Sequence, residues 1–176
     1  MSSPDAPASA SASGEELPGL TELLGRAVQL GVRNVAAGGG PFGAVVARLD
    51  GGRLVAVAEG ANQVTSTNDP TAHAEVVALR AAGAALGSFD LSGCVLLASC
   101  EPCPMCLTAG LWARVDAMWF AATRSDAAAA GFDDDAFYRA LDTPRERWEV
   151  PVRRLEVPAS TAPFAAWLSA AARTPY

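Results

Sequence analysis

The sequence predicts an α/β fold, a three-layer α/β/α sandwich whose mixed sheet is opened by a β-hairpin. Three observations carry that expectation. An amphipathic run, LTELLGRAVQLGVRNVA, comes first. GAVVARLDGGRLVAVAEG then places two β-rich runs about a DGG turn, the sequence form of an antiparallel hairpin. An apolar strand pattern, a Pro-started helix and a second apolar strand pattern follow in a row, and strand, helix, strand is the form of a parallel unit.

Leu20, Leu23, Leu24, Ala27, Val28 and Val35 recur at helical spacing before three glycines, which predicts a first helix from Leu20 to Ala36. The hairpin follows, and then a polar loop from Asn62 to Asn68. Asp69 and Pro70 are expected to open the next helix, Asp as its cap and Pro in its first turn, with Leu86 near its end and Gly87 closing it. Cys94 to Ala98 (CVLLA) reads as a buried strand, Pro102 as the start of a helix reaching about Ala113, and VDAMWFA as another strand. Beyond Thr123 the pattern predicts a strand near Trp148 to Val157 and a terminal helix from about Pro163. No repeat and no linker interrupts residues 17–176, which are expected to form one domain behind a disordered tail of residues 1–16.

Composition narrows the function. All thirteen cationic residues are arginine, so lysine Schiff-base chemistry and lysine phosphate cradles are excluded. A net charge of -6 and a pI of about 4.7 argue against a nucleic-acid partner, which calls for a basic patch. No run approaches the roughly 20 apolar residues of a membrane helix, and MSSPDAPASASASGEE lacks the charged start and apolar centre of a signal peptide. The expectation is a soluble, cytoplasmic protein whose thiols stay reduced, where clustered cysteines serve as metal ligands or catalysts more often than as disulfides.

CEPCPMC, Cys100 to Cys106, holds three of the four cysteines, and His73 is the one histidine. A catalytic zinc site takes three protein ligands and keeps a fourth position open for water, so one His and two Cys suffice. With Pro102 as the first helical residue, Cys103 and Cys106 share a face in the first turns, where the helix N-terminus favours thiolate. Cys100 precedes the helix. Glu75, two residues after His73, stands about 200° around its helix but near enough in the first turn to exchange a proton with water. The same residues admit blander readings: a redox CxxC, a structural zinc with Cys100 as fourth ligand, or a His packed in the core. Cys94, inside an apolar strand, reads as core.

HAE together with PCPMC resembles the H-x-E and P-C-x-x-C signature of the zinc-dependent cytidine deaminase superfamily. That resemblance implies a cytidine deaminase-like fold, one Zn2+ per subunit held by His73, Cys103 and Cys106, and Glu75 as the proton carrier. The longer strings GGPFGAVV, NDPTAHAEV, SCEPCPMC, WAR and AAAAGFDDDAFYRALD are most similar to the bacterial guanine deaminases, with coverage from about Leu23 to Tyr176. They imply hydrolysis of a free aminated nucleobase, guanine to xanthine plus ammonia, by attack of zinc-activated water at C2. Deamination of guanosine, cytosine, an aminopterin or an aminotriazine stays open, as does a non-catalytic zinc module.

The same resemblance assigns Asp134 to the substrate amino group and to proton transfer, Asn62 to the purine edge, and Phe42 to the flat face of the base. It assigns Tyr176 to closing the site of a second subunit, in a homodimer that exchanges its C-terminal segments. Two departures stand out. Thr108 occupies a position where these enzymes commonly carry glycine, which predicts an altered pocket, and the hairpin loop near Gly51 is expected to be longer than usual.

Overall fold

A computed structural model describes residues 17–132 and 134–176. The expected tail of residues 1–16, and Asp133, lie outside the described residues. The chain divides into two compact units, one reaching to Asp134 and the other Asp135–Tyr176.

The first unit is built on a four-stranded sheet. Helix α1 (Leu20–Ala36) leads into β1 (Gly43–Asp50) and β2 (Arg53–Ala61), and a single helical turn, α2 (Val64–Thr67), interrupts the segment expected to be a plain loop. Helix α3 (Ala74–Leu86), strand β3 (Cys94–Cys100), helix α4 (Pro104–Trp112), strand β4 (Ala117–Ala122) and helix α5 (Arg124–Ala129) follow. The strand order is β2-β1-β3-β4. β1 pairs antiparallel with both β2 and β3, whereas β3 and β4 run parallel around α4, so the sheet is mixed as the hairpin and the strand-helix-strand unit predict. The hairpin turn is the tight two-residue kind rather than a long loop: Asp50 pairs with Arg53, and Gly51 and Gly52 take φ of 56° and 81°.

Alternation along the strands splits the core between the two faces of the sheet. Val45, Ala47, Val95 and Leu97 pack with Leu20, Leu23 and Ala27 of α1. Ala44, Val46, Cys94 and Leu96 pack on the other face with Ala74, Ala78, Leu79 and Ala82 of α3, and Ala109 of α4 leans on the same cluster. Three layers result. Cys94 is a core residue, and β3 is buried along its whole length because it is covered on both faces and paired on both edges. Each fully buried Leu or Val contributes about 1.5–3 kcal/mol.

Two helix starts fall later than the sequence predicts. Asp69 Oδ1 accepts from Thr71 N at 2.8 Å and Thr71 Oγ1 at 2.7 Å, so it closes a turn, and the helix begins at Ala74 with His73 at the N-cap. Pro102 likewise precedes its helix. Cys103 is the N-cap and Pro104 the first helical residue, the place where its missing N–H costs nothing.

The second unit holds α6 (Asp135–Asp142), a 3-10 turn at Arg145–Arg147 and α7 (Ala162–Ser169), the last starting beside Pro163 as expected. The strand expected near Trp148 to Val157 is not formed. Pro151 removes a ladder donor inside the run, and Val150, Val152, Leu155 and Val157 are 73%, 50%, 82% and 53% exposed. The spacing of two holds within each pair and breaks between Val152 and Leu155, so the four side chains would not share one face, and no strand among the described residues pairs with the run.

Candidate active site

Two helix starts build the site. His73 takes φ -64° and ψ 154°, and Cys103 takes φ -65° and ψ 167°. In each the extended backbone sends the carbonyl into its helix, to Val77 N and Leu107 N at 2.9 Å, and neither side chain caps its own helix. The two side chains meet instead. His73 Nδ1 lies 3.6 Å from Cys103 Sγ and 3.6 Å from Cys106 Sγ, and the two sulphurs lie 3.6 Å apart.

That triangle is the test of whether a metal fits. Tetrahedral zinc with Zn–S near 2.3 Å and Zn–N near 2.0–2.1 Å sets its ligand atoms about 3.6–3.8 Å apart. The donors, two sulphurs and an imidazole nitrogen, are those zinc prefers, and their mutual spacing is the edge of its coordination polyhedron. Charge agrees. The Cys106 thiol beside it, with help from His73, pulls Cys103 down to about 4, while Cys106 rises because a second thiolate next to the first, under burial, is disfavoured. His73 is raised, first by its contact with the Cys103 sulphur. Both sulphurs can ionise together only beside a cation, and the two helix N-termini add charge of that sign.

A cavity of about 500 Å³ opens beside the triangle, lined by His73, Cys103, Glu75, Asn62, Phe42 and Asp134 among others. Its volume is that of an ordinary small-molecule site. Glu75 is the second residue of α3 and only 8% exposed, and burial raises its carboxyl above the usual range. The angle of about 200° expected from an ideal helix does not separate it from His73, because the N-cap residue is not yet helical. Asp134 lies close enough to His73 for its charge to contribute to that imidazole's raised pKa.

Asn62 follows β2 directly. Its N–H donates to Phe42 O at 3.1 Å and its Oδ1 accepts from Val64 N at 3.3 Å. Phe42 meets Phe132 edge to face, ring centroids 5.0 Å apart. Tyr176 belongs to the second unit, where its ring stands edge-on to Trp167 at 6.4 Å. Thr108 is exposed, and its hydroxyl donates to Pro104 O at 2.8 Å along its own helix, so the residue expected to reshape the pocket does not line it.

Sequence reasoning passed over several lining residues. Phe132 stands in the same GFDD string as Asp134, and its aromatic character in an acidic run was a usable signal. Glu101 and the glycines Gly38 to Gly40 also line the cavity, as does Cys100, which the sequence offers as a fourth zinc ligand. Cys100 lies outside the triangle, its thiol donating to Thr123 O at 3.5 Å.

A mixed sheet sandwiched by helices, with a His and a Pro-Cys-x-x-Cys meeting at two helix starts, defines a zinc deaminase. The chain belongs to the family described as the cytidine and deoxycytidylate deaminase zinc-binding region, whose model matches residues 20–122. It is 49% identical over 155 residues to the guanine deaminase of Bacillus subtilis (strain 168), which covers 88% of this chain and 97% of that protein. The X-ray structure of guanine deaminase from Bacillus subtilis superposes with a TM-score of 0.83 at 48% identity, covering 89% of this chain and 98% of that one. A guanine deaminase from Nitrosomonas europaea is similar at a TM-score of 0.61 and 38% identity, over 68% of each chain.

Proposed function

We propose that this chain is a zinc-dependent hydrolase that converts guanine and water to xanthine and ammonia. The observation that carries the reading is the 3.6 Å triangle of His73, Cys103 and Cys106 with the buried Glu75 in the same cavity, in a chain 49% identical to a guanine deaminase. His73, Cys103 and Cys106 hold the metal. Zinc bound there supplies a Lewis acid that lowers the pKa of water to about 7.

The chain's own groups do the rest. Glu75 accepts a proton from the attacking water and delivers it to the ring nitrogen beside C2. It then takes the remaining proton of the added hydroxyl, as the C2 carbonyl forms, and carries it to the amino group, which leaves as ammonia. Burial suits this work, because a carboxyl raised above its usual range is a stronger base that takes up the water's proton more readily and holds it near neutral pH until the substrate accepts it. Asp134 faces the substrate amino group and assists that transfer. Asn62 meets the purine edge with an amide that both donates and accepts. Phe42, braced by Phe132, packs on the flat base. Backbone N–H groups at the start of α4 stabilise the negative charge that develops on the oxygen added at the tetrahedral centre.

The working molecule in this reading is a cytoplasmic homodimer that exchanges its C-terminal segments, so that Tyr176 closes the partner's site. Four free cysteines suit a reducing compartment, and no helix among the described residues is long and apolar enough to cross a membrane. Phe164 and Leu168 of α7, 69% and 68% exposed, present apolar surface that a second copy would cover. Removing the last few residues up to Tyr176 is expected to cut turnover and leave zinc content intact. Unchanged turnover by the truncated chain would sink the exchange.

The primary test is ammonia release by the zinc-loaded protein from guanine, guanosine, adenine, cytosine and a 2-aminopterin, with Glu75→Gln as the blank. Guanine is expected to react fastest and the variant to be inactive. Turnover of another ring with guanine inert would overturn the substrate, and turnover by the Gln variant would overturn the proton carrier.

A further inference from the structure

We infer that Asn34, near the end of α1 and outside the cavity lining, is the positioning residue of the purine-binding wall. Two separate segments form that wall: the glycine run Gly38–Gly40, and Asn62 after β2. Neither belongs to a regular element, and each needs a fixed place if an amide is to be aimed at a ring edge. Asn34 ties them together. Its Nδ2 donates to Gly40 O at 2.8 Å and to Asn62 O at 2.8 Å, using both N–H bonds of one amide. The opposite orientation would set Oδ1 against two carbonyl oxygens, so the amide can face only this way.

The backbone of Asn34 holds the same loop from below. Its carbonyl accepts from Gly39 N at 2.8 Å and from Ala37 N at 3.1 Å. Gly39 is the residue that permits the reach: a Cβ there would lie 2.4 Å from Asn34 Nδ2. A Cβ on Gly40 would press on the Asn62 side chain at 3.1 Å, so the wall is in contact with itself on the cavity side as well. Asn62 is thereby fixed through its carbonyl by Asn34, through its N–H by Phe42 O, and through its Oδ1 by Val64 N. Of these three holds only the first comes from a side chain, and only it reaches both segments.

The inference rests on the reading that Asn62 meets the substrate ring, and the experiment separates the two. Zinc per chain, melting temperature, kcat and KM for guanine are measured for the zinc-loaded full chain and for Asn34→Ala, Asn34→Asp, Gly39→Ala, Asn62→Ala and the Asn34→Ala/Asn62→Ala double variant. Asn34→Asp keeps the shape and loses both donors, and Gly39→Ala displaces the amide without touching it, so the proposal does not hang on one variant folding.

Each single change at Asn34 or Gly39 is expected to lower kcat/KM about tenfold or more, mostly through KM, with zinc content unchanged. The double variant is expected to be no worse than Asn62→Ala alone within about twofold, because a residue that acts through Asn62 has nothing left to position. Losses that multiply in the double variant, or Asn34 variants whose kcat and KM match the parent while Asn62→Ala is impaired, would overturn the positioning role alone. An Asn62→Ala variant with unchanged KM would overturn the wall itself, and this inference with it.

Discussion

Helices α3 and α4 start alike and are equipped differently. Each opens on an extended N-cap residue whose side chain leaves the helix uncapped, His73 in one and Cys103 in the other. Helix α5, in the same chain, shows the ordinary arrangement: Thr123 Oγ1 accepts from Asp126 N at 3.3 Å, and Asp126 Oδ2 accepts from Thr123 N at 2.8 Å. Giving up such a cap costs about 1 kcal/mol per helix. What α3 and α4 hold in its place differs two or three residues further on. α4 carries a second sulphur, Cys106, at its third position, whereas α3 carries the Glu75 carboxylate at its second. In the proposed reaction this is a division of labour: α4 would bring the negative charge that holds a cation, and α3 one ligand together with the group that moves protons.

The largest effect that would break this division is loss of the metal. Cys106→Ala removes a fully buried ligand atom and one corner of the triangle, so the variant is expected to carry little zinc and to have no measurable turnover. Metal analysis of the purified chain checks it; a variant with one zinc and parental activity would remove Cys106 from the site. Glu75→Gln is the matching change on α3. It is expected to retain one zinc per chain while kcat falls by about 10²–10⁴, the usual share of a general acid-base. Loss of zinc from the Gln variant would erase the difference between the two helix starts, because Glu75 would then be holding metal too.

The sequence made the division partly legible. His73, Glu75, Cys103 and Cys106 stand out because their types are rare in this chain and their spacing is local, and the helix, hairpin and parallel unit that carry them follow from local periodicity. The helix starts were less legible, since Asp69-Pro70 and Pro102 are capping signals by type. At Asp69 a turn takes the signal first, Pro102 stands before the N-cap of its helix, and the N-caps themselves are His73 and Cys103, whose types say nothing about capping. The exposed run near Trp148 to Val157 fails as a strand for a complementary reason: its apolar residues change parity between Val152 and Leu155, Pro151 lacks a donor, and a ladder needs a neighbouring strand as well. Asn34 and Phe132 were invisible or nearly so, because what makes each of them matter is a contact with a segment distant in the chain, Asn62 for one and Phe42 for the other.

The smallest expected effect sharpens the comparison from the outer side of α4. The resemblance read from the sequence sets glycine at the position of Thr108, and by position alone, two residues after Cys106, this residue invites a role in substrate choice. Its environment argues otherwise. The residue is exposed, and its hydroxyl bonds back to Pro104 O, one turn earlier in the same helix. Restoring glycine removes that bond and adds backbone freedom in a helix interior, which costs about 0.5–1 kcal/mol. Thr108→Gly is therefore expected to lower the melting temperature slightly and to leave kcat/KM for guanine, and the ranking of the five rings in the ammonia assay, within about twofold of the parent. A changed ranking would mean that the outer face of α4 reaches the substrate through Cys106, and that this helix shapes specificity as well as holding the metal.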